Sequence, residues 1–317
     1  MTKVTSAMAT YDVTTNREDL TDAIYRITPE DTPVTAAIPK VKATAVLHEW
    51  STQALSSINT TNARLEGDAL TRAASTAPVR RQNYCQISSK DATVTGTQRA
   101  TNPAGIDDMM AYQMSLKSVE LRRDMEAIIL GNTGQNAGNT TTARTLRSLN
   151  SWFSGNAVRG GSTAADATAA TAAALDATAG GIRTLTEALL KSAILLAYTD
   201  GGNPNMVSVG PFNKQIISGF TGRSSQQQIV SGNTILAAAD VYKSDFGDLK
   251  IIPNRSQRER DVWIIDPTKL AIASLRMFEA QELGRVGDAV TRDIICEYTL
   301  ENRHPDAHAA VLDCTTS

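Results

Sequence analysis

Aromatic residues make up only 5% of this 317-residue chain, which also has just three cysteines and three histidines. Cys85, Cys296 and Cys314 are odd in number and far apart. Such usage fits free thiols in a reducing compartment better than a disulfide framework or a zinc site, which call for paired cysteines at short spacing. With 31 basic and 33 acidic residues the formal net charge is −2, so bulk electrostatics recruit neither nucleic acid nor an anionic membrane. No run of about 18 apolar residues exists. The N-terminal MTKVTSAMATYDVTTN lacks the apolar core of a signal peptide, and the expectation is a chain made and kept soluble in a cytoplasm. A phosphate-cradling glycine loop, a nucleophile elbow and a Cys-His pairing at recognisable spacing are all missing. His304 and His308 have the spacing of two ligands on one helical turn, with Asp306 and Cys314 nearby, but Pro305 between them makes the segment strand and turn. His48, Glu49 and Trp50 sit on one strand, where neighbours point to opposite faces. They form no catalytic cluster, and Trp50 reads as a packing anchor. No enzyme, cofactor or metal is therefore expected.

What the chain does have is 41% hydrophobic residues, enough to bury a sizeable core in one large domain or two ordinary ones. Its organising stretch runs from Gly105 to Gly131. Asp107 and Asp108 suit the exposed amides of a helix start, and Gly131 follows the last apolar residue as a helix stop. Ile106, Met109, Met110, Gln113, Leu116, Glu120 and Arg123 mark out faces at helical spacing, predicting one uninterrupted helix roughly 40 Å long. Before it, Asn16 can cap a short helix whose stripe is Leu20, Ala23, Ile24 and Ile27. Pro29, Pro33 and Pro39 then force extended geometry, so residues 1–44 read as an arm lying along a surface. A helix this short is marginal alone, and its stripe needs a partner, either its own subunit or a neighbour.

Residues 45–100 read as a long hairpin-like excursion. Val46 to Ala54 and Val79 to Thr97 are strand-like and rich in Val, Thr and Tyr. The intervening SSINTTNARLEGDALTRAASTAP has almost nothing to build a core from, and a connection of that length is natural where a neighbouring molecule holds it. Arg64, Glu66, Asp68, Arg72, Arg80 and Arg81 give it charges of both signs. After the long helix comes an apolar knot at Leu146, Leu149, Trp152 and Phe153, then an Ala/Thr-rich tract at 162–181 that makes a poor core element. Thr184 and Glu187 form a capping box, with Leu185, Leu189, Ser192, Ala193 and Leu196 on one helical face. From there a compact α/β piece is expected, with buried strands at Met206 to Val209, Leu249 to Ile252 and Val262 to Ile265, and Pro211 in a first helical turn. Beyond residue 269 the pattern alternates. Val290, Ile294, Cys296, Tyr298 and Leu300 fall on one side and Thr291, Asp293, Glu297, Thr299 and Glu301 on the other, predicting half-exposed strands that pair back towards the long helix.

Arm, long hairpin, long helix, α/β piece and returning strands, in that order, resemble the major capsid proteins of tailed bacteriophages, the Hong Kong 97-type fold. The stretches REDLTDAIYRITPEDTPVTAAI, HEWSTQAL, TARTLRSLNSWF, VYKSDFGDLKIIPNR and GRVGDAVTRDIICEYTLENRHPDAH are similar to a phage major head protein family over essentially the whole chain. The resemblance implies an α+β architecture. It comprises an N-arm (1–44), an E-loop (45–100), a peripheral domain with a spine helix (101–183, helix 105–131), an axial domain (184–268) and returning strands of the peripheral domain (269–317). It further implies hexamers and pentamers of the chain closing into an icosahedral head around double-stranded DNA, without sequence-specific binding and without a membrane. Portal, scaffold and cement or decoration proteins are the additional partners it allows, with assembly in the host cytoplasm. Little chain precedes the arm, so no fused N-terminal scaffolding domain is expected. Leu20, Ile24, Ile27, Trp50, Arg64, Glu66, Asp68, Arg72, Arg80 and Arg81 become candidate inter-subunit contacts. An encapsulin-like compartment around a cargo enzyme shares the fold, and an unrelated soluble enzyme is the other alternative.

The unpartnered stripe generates a test. Deleting residues 1–28 is expected to leave soluble, folded protein that no longer builds closed particles, as judged by sizing and negative-stain microscopy. Normal particles from the truncated chain would remove the arm from assembly.

Overall fold

The computed structural model describes residues 28–67, 76–101, 106–153, 155–160, 181–220, 240–285 and 287–316. In chain order the elements are α1 (Pro33–Ala37), β1 (Lys40–Lys42), β2 (Leu47–Thr52), β3 (Val79–Tyr84), β4 (Gln86–Thr95), α2 (Gly96–Ala100) and α3 (Met109–Ile129). There follow β5 (Ala157–Val158), α4 (Glu187–Thr199), β6 (Met206–Val209), α5 (Pro211–Ser218), β7 (Val241–Ser244) and β8 (Gly247–Pro253). The chain ends with β9 (Val262–Ile265), β10 (Leu270–Glu282), β11 (Ala289–Asn302) and β12 (Ala309–Val311). They build a four-stranded sheet in the order β1-β10-β11-β4, a six-stranded sheet in the order β5-β12-β9-β6-β8-β7, and the separate pair β2-β3.

Helix α3 starts where the carboxylates predict. Asp108 is its N-cap, and its side chain accepts a hydrogen bond from the Met110 amide. The helix spans 21 residues, shorter at both ends than 105–131. Its buried line is Met110, Leu121, Met125, Glu126 and Ile129, so Leu116, Glu120 and Arg123 fall outside the fully buried stripe.

The central strands β12, β9 and β6 of the six-stranded sheet are buried on both faces, which is why β9 and β6 read as continuous apolar runs. Trp263 and Ile265 of β9 and Met206 of β6 face one core, shared with Leu121, Met125 and Ile129 of α3 and Leu270, Ile272, Tyr298 and Leu300 of the four-stranded sheet. Their alternate neighbours Val262, Ile264, Val207 and Val209 face a second core with Leu190, Ala193, Ile194 and Ala197 of α4. Both sheets therefore meet in one hydrophobic layer, and a one-residue register slip in β9 would move Trp263 out of it.

Several expectations are corrected. Val79 to Thr97 is not one strand: it breaks at Cys85, after which β4 leaves the hairpin and pairs with β11 from Gln86↔Tyr298 to Thr95↔Ala289. The capping box slides two residues, because Thr186, not Thr184, is the N-cap of α4, accepting from the Leu189 amide. This turns the buried face to Leu190, Ala193, Ile194 and Ala197 and leaves Leu196 exposed. The strand after residue 289 is half exposed only at first, since Glu297 to Asn302 are all buried. Residues 269–317 do not all return to the four-stranded sheet, nor do residues 101–183 all stay with it. Both β12 and β5 join the six-stranded sheet, where the apolar triplet Ala309–Val311 finds a two-sided site beside β9.

Glu126 was unforeseen. Helix α1 begins at a proline inside the core, so its first amides have no helical acceptor. The carboxylate of Glu126 supplies one: Oε1 accepts from the Val34 amide at 3.0 Å and Oε2 from the Thr35 amide at 2.8 Å. Oε1 also accepts from Asn254 Nδ2 at 2.8 Å. One side chain thus ties the N-terminal segment, the long helix and the end of β8. Glu126→Ala strands three buried donors and is expected to cost on the order of 3–5 kcal/mol, read as a lowered denaturant midpoint of the subunit. Glu126→Gln, which keeps one acceptor oxygen, should fall between.

Candidate assembly surfaces

Among the described residues the hairpin β2-β3 pairs only with itself, from Leu47↔Tyr84 to Thr52↔Val79, so its direction is set at its root. Trp50 is central there, as its anchor reading requires. Its indole Nε1 donates to the Asn302 carbonyl at 3.0 Å, and its ring lies 6.0 Å from Trp152 and 5.7 Å from His48, centroid to centroid. Asn83, fully buried, donates through Nδ2 to the carbonyls of Leu300 (2.8 Å) and Arg147 (3.1 Å) and accepts from the Arg147 amide (2.7 Å). The Arg147 guanidinium sits 3.9 Å over the Trp152 ring, and burial, helped by the nearby Arg81 charge, lowers its pKa to about 10. His48 Nε2 meets Glu301 Oε2 at 2.9 Å, and Arg303 Nε donates to Glu301 Oε1 at 2.8 Å. The hydrogen bond from His48, and then Arg303, holds Glu301 below the usual carboxylate range.

Beyond the root the chain has little of its own to pack on. Leu55 is 97% exposed, Ile58 94% and Leu65 83%. Arg64 and Glu66 are exposed on this segment. Arg80 is tied to its own hairpin, 3.6 Å from Glu49, an exposed pair of small energetic worth. Arg81 Nε donates to Thr52 Oγ1 at 3.2 Å. Leu20, Ile24, Ile27, Asp68 and Arg72 lie outside the described residues. The structure thus joins Trp50 to the body and leaves Arg64 and Glu66 outward. Partners such as Asn83, Glu301 and Arg147 escaped sequence reasoning because they meet across large sequence separations with no local pattern.

The remaining chemistry-bearing side chains serve packing. Burial pushes the thiols of Cys85 up to about 11 and of Cys296 and Cys314 to about 12, which leaves them inert as nucleophiles. His308 is buried, and its Nδ1 accepts from the Asp266 amide at 3.2 Å. No group of three potential metal-ligating side chains occurs among the described residues, and no helix there is long and apolar enough to cross a membrane.

His308 makes stability depend on pH. Burial lowers its pKa from 6.5 to about 4, so between those values the unfolded chain binds the extra proton and stability rises with pH. Glu301 acts in the same sense at lower pH, its contribution fading as pH falls through its depressed folded value. The denaturant midpoint of the subunit should therefore drop between pH 7 and pH 5. His308→Asn, which keeps an acceptor but does not titrate, should flatten that slope; an unchanged slope would refute the assignment.

Comparison with known proteins agrees with this architecture. The family model described as SU10 major capsid protein matches residues 5–315. A major capsid protein of Escherichia phage Phieco32 is 29% identical over 120 residues, which is 38% of this chain and 34% of that protein. The match thus spans about a third of that relative's length. Among solved structures, one from Microbacterium phage Oxtober96 covers 95% of this chain and 96% of its own with a TM-score of 0.64 at 14% identity. The capsid of a native GTA particle covers 99% and 100% with a TM-score of 0.62 at 11% identity. Identities this low speak for the fold alone, which is the Hong Kong 97-type; the family match over nearly the full length carries the rest. The chain belongs to the SU10 major capsid protein family.

Proposed function

We propose that copies of this chain assemble as hexamers and pentamers into a closed icosahedral head around double-stranded DNA, in the host cytoplasm, with a structural and not a catalytic role. In this reading β2-β3 and the segment beyond it form the E-loop, α3 the spine helix, and the six-stranded sheet with α4 and α5 the axial domain. The observation that carries it is the near-complete exposure of Leu55, Ile58 and Leu65. Three large apolar side chains on a segment without a core are a liability for a monomer and become ordered contacts when neighbours cover them. A net charge of −2 also suits a container, since a strongly positive wall would grip phosphates and oppose their movement. Portal, scaffold and cement proteins are the expected further partners.

Some members of this fold weld their shells with an isopeptide bond from an E-loop lysine. Here no lysine lies between Lys42 and Lys90, and Lys90 is held 2.8 Å from Asp124 on α3. The hairpin's basic positions are arginines, whose guanidinium pairs with carboxylates but is no nucleophile. A non-covalent lock follows.

Electron microscopy of the expressed chain should show closed shells. Boiled in detergent without reductant, they should run as a single chain near 33.9 kDa. Monodisperse small oligomers under all conditions would overturn the shell, protein cargo in place of DNA in native particles would favour a compartment, and a reductant-resistant ladder would overturn the non-covalent lock.

A further inference from the structure

Two stretches of chain that cross between the sheets run side by side. Residues 266–269 lead from β9 of the six-stranded sheet to β10 of the four-stranded one, and residues 303–308 lead back from β11 to β12. Each contains a single 3-10 turn, Pro267–Lys269 in the first and Pro305–Ala307 in the second. Across the seam the Arg303 amide donates to the Lys269 carbonyl at 2.9 Å, and the Asp266 amide donates to His308 Nδ1 at 3.2 Å. Asn156, just ahead of β5, donates through Nδ2 to the Asp306 carbonyl at 2.6 Å. The sheets also share an apolar layer, but such contact is non-directional and tolerates sliding. The polar seam therefore bears on the angle between them.

His308 is fully buried. Because Nδ1 accepts, the ring proton sits on Nε2, which has no hydrogen-bond partner among the described residues. One hydrogen bond thus holds the ring. A second proton would go to Nδ1, where it meets the Asp266 N–H donor to donor and the bond is lost. The carboxylate of Asp266 offers the charged ring another partner, but its Oδ1 already accepts from the Thr268 amide at 3.0 Å and from Thr268 Oγ1 at 2.6 Å, capping the first 3-10 turn. Burial outweighs the attraction of Asp266 and, with the His304 charge, holds the His308 pKa down to about 4, so the ring is neutral at pH 7. Lys269, Arg303 and Asp306 are the other charged side chains of the two crossovers, while β5, β9 and β12 bring none. Glu301 on β11 is engaged by His48 and Arg303. The turn after α4 packs through Gly202 against Ala307, with its Asp200 exposed.

We propose that the paired crossovers form a proton-operated joint between the two sheets, with His308 as its pin. With His308 neutral, the ring fastens the Asp266 amide while the Asp266 carboxylate caps Thr268. A proton taken up from solvent at Nδ1 releases the amide and turns the imidazolium towards that carboxylate. The carboxylate is drawn off Thr268, the turn at Pro267–Lys269 loosens, and the sheets change their mutual angle while each stays folded. Such an opening is local and sub-global. It belongs to the subunit and does not depend on the shell reading.

The test uses the full chain as a free subunit. In hydrogen exchange, the protection factor of the Asp266 amide should fall at least tenfold from pH 7 to pH 5, as linkage to a site near 4 when closed and 6.5 when open requires. The paired amides of Val207 and Ile264, in the centre of the six-stranded sheet, should keep theirs. Nitroxides at Gln281→Cys and Lys243→Cys, one exposed position on each sheet, report the angle, since the native thiols are buried. Their separation should shift over the same pH range and stay fixed when His308→Asn, which keeps an acceptor without titrating, is added. Asp266→Asn, which leaves Thr268 an acceptor but offers the imidazolium no charge, should suppress the shift. Unchanged protection at Asp266, an equal loss at Val207, an unchanged separation, or an acid shift that persists in His308→Asn would each overturn the joint. Where His308→Asn does not fold, the wild-type exchange and the separation in the doubly labelled chain decide alone.

Discussion

A strand of fourteen residues, β11, has to satisfy its backbone on two edges and its side chains on two faces, and most of the molecule is arranged to meet that demand. Antiparallel β10 takes one edge and β4 the other, which is why the chain must reach out through the hairpin and come back before α3 begins. On the inner face, Ile294, Cys296, Tyr298 and Leu300 enter the core shared with α3 and β9. The other face carries Glu297, Thr299 and Glu301, all buried, and burial of carboxylates is tolerated only with partners. Arg144 and Arg276 reach Glu297 at 2.8 and 3.0 Å, and His48 and Arg303 close on Glu301. Polar residues on β11 thus fix where the hairpin root and the Arg144 loop must sit.

The parts that project from this body gain little by projecting in a monomer. Leu55, Ile58 and Leu65 each forgo roughly 1.5–3 kcal/mol of burial, a sum comparable with the net stability of many domains. In the shell proposed above, contacts between copies would recover it, so a sequence that would be poor for an isolated globule is consistent for a repeating one. The core makes no such concession: β6 and β9 are buried on both faces and need no neighbour.

Elements whose residues face a single, local environment were legible in the sequence. Met206 to Val209 and Val262 to Ile265 emerge as strands at those bounds, because two-sided burial writes itself as an unbroken apolar run. Pro211 sits at the start of α5 as expected, and Leu146, Leu149, Trp152 and Phe153 do cluster in the core. What failed to show was set by distant partners. Glu126 looks like any exposed helix glutamate until α1, nearly a hundred residues earlier, delivers two orphan amides to it. The Thr184 capping box matched its pattern and lost to Thr186, because tertiary burial of Leu190 and Ile194 chose the helix phase. Residues 79–97 carry one strand-like composition, and only the competing edge of β11 divides them at Cys85. The packing role of Trp50 against Asn302 and Trp152 of its own subunit was legible because a tryptophan on a strand has few other uses; the fate of Arg80 and Arg81 depended on which acceptor lay in reach.

Hydrogen bonds, more than apolar contact, decide how the projecting parts are aimed. An apolar surface is non-directional and tolerates sliding. The indole of Trp50 on Asn302, the paired bonds of Asn83 with Arg147 and Leu300, and the carboxylate of Glu126 on Val34 and Thr35 are directional and wholly or partly buried. Breaking any of them leaves an uncompensated polar group, so each segment has one low-energy orientation. A heterologous contact closes into a ring or shell only if every copy presents it at the same angle, and otherwise yields open aggregates. Directional bonds at the hairpin root and where the N-terminal segment meets the core therefore fix the angle at which these parts leave the body. The apolar layer beneath sets stability, and the polar joints above it set geometry.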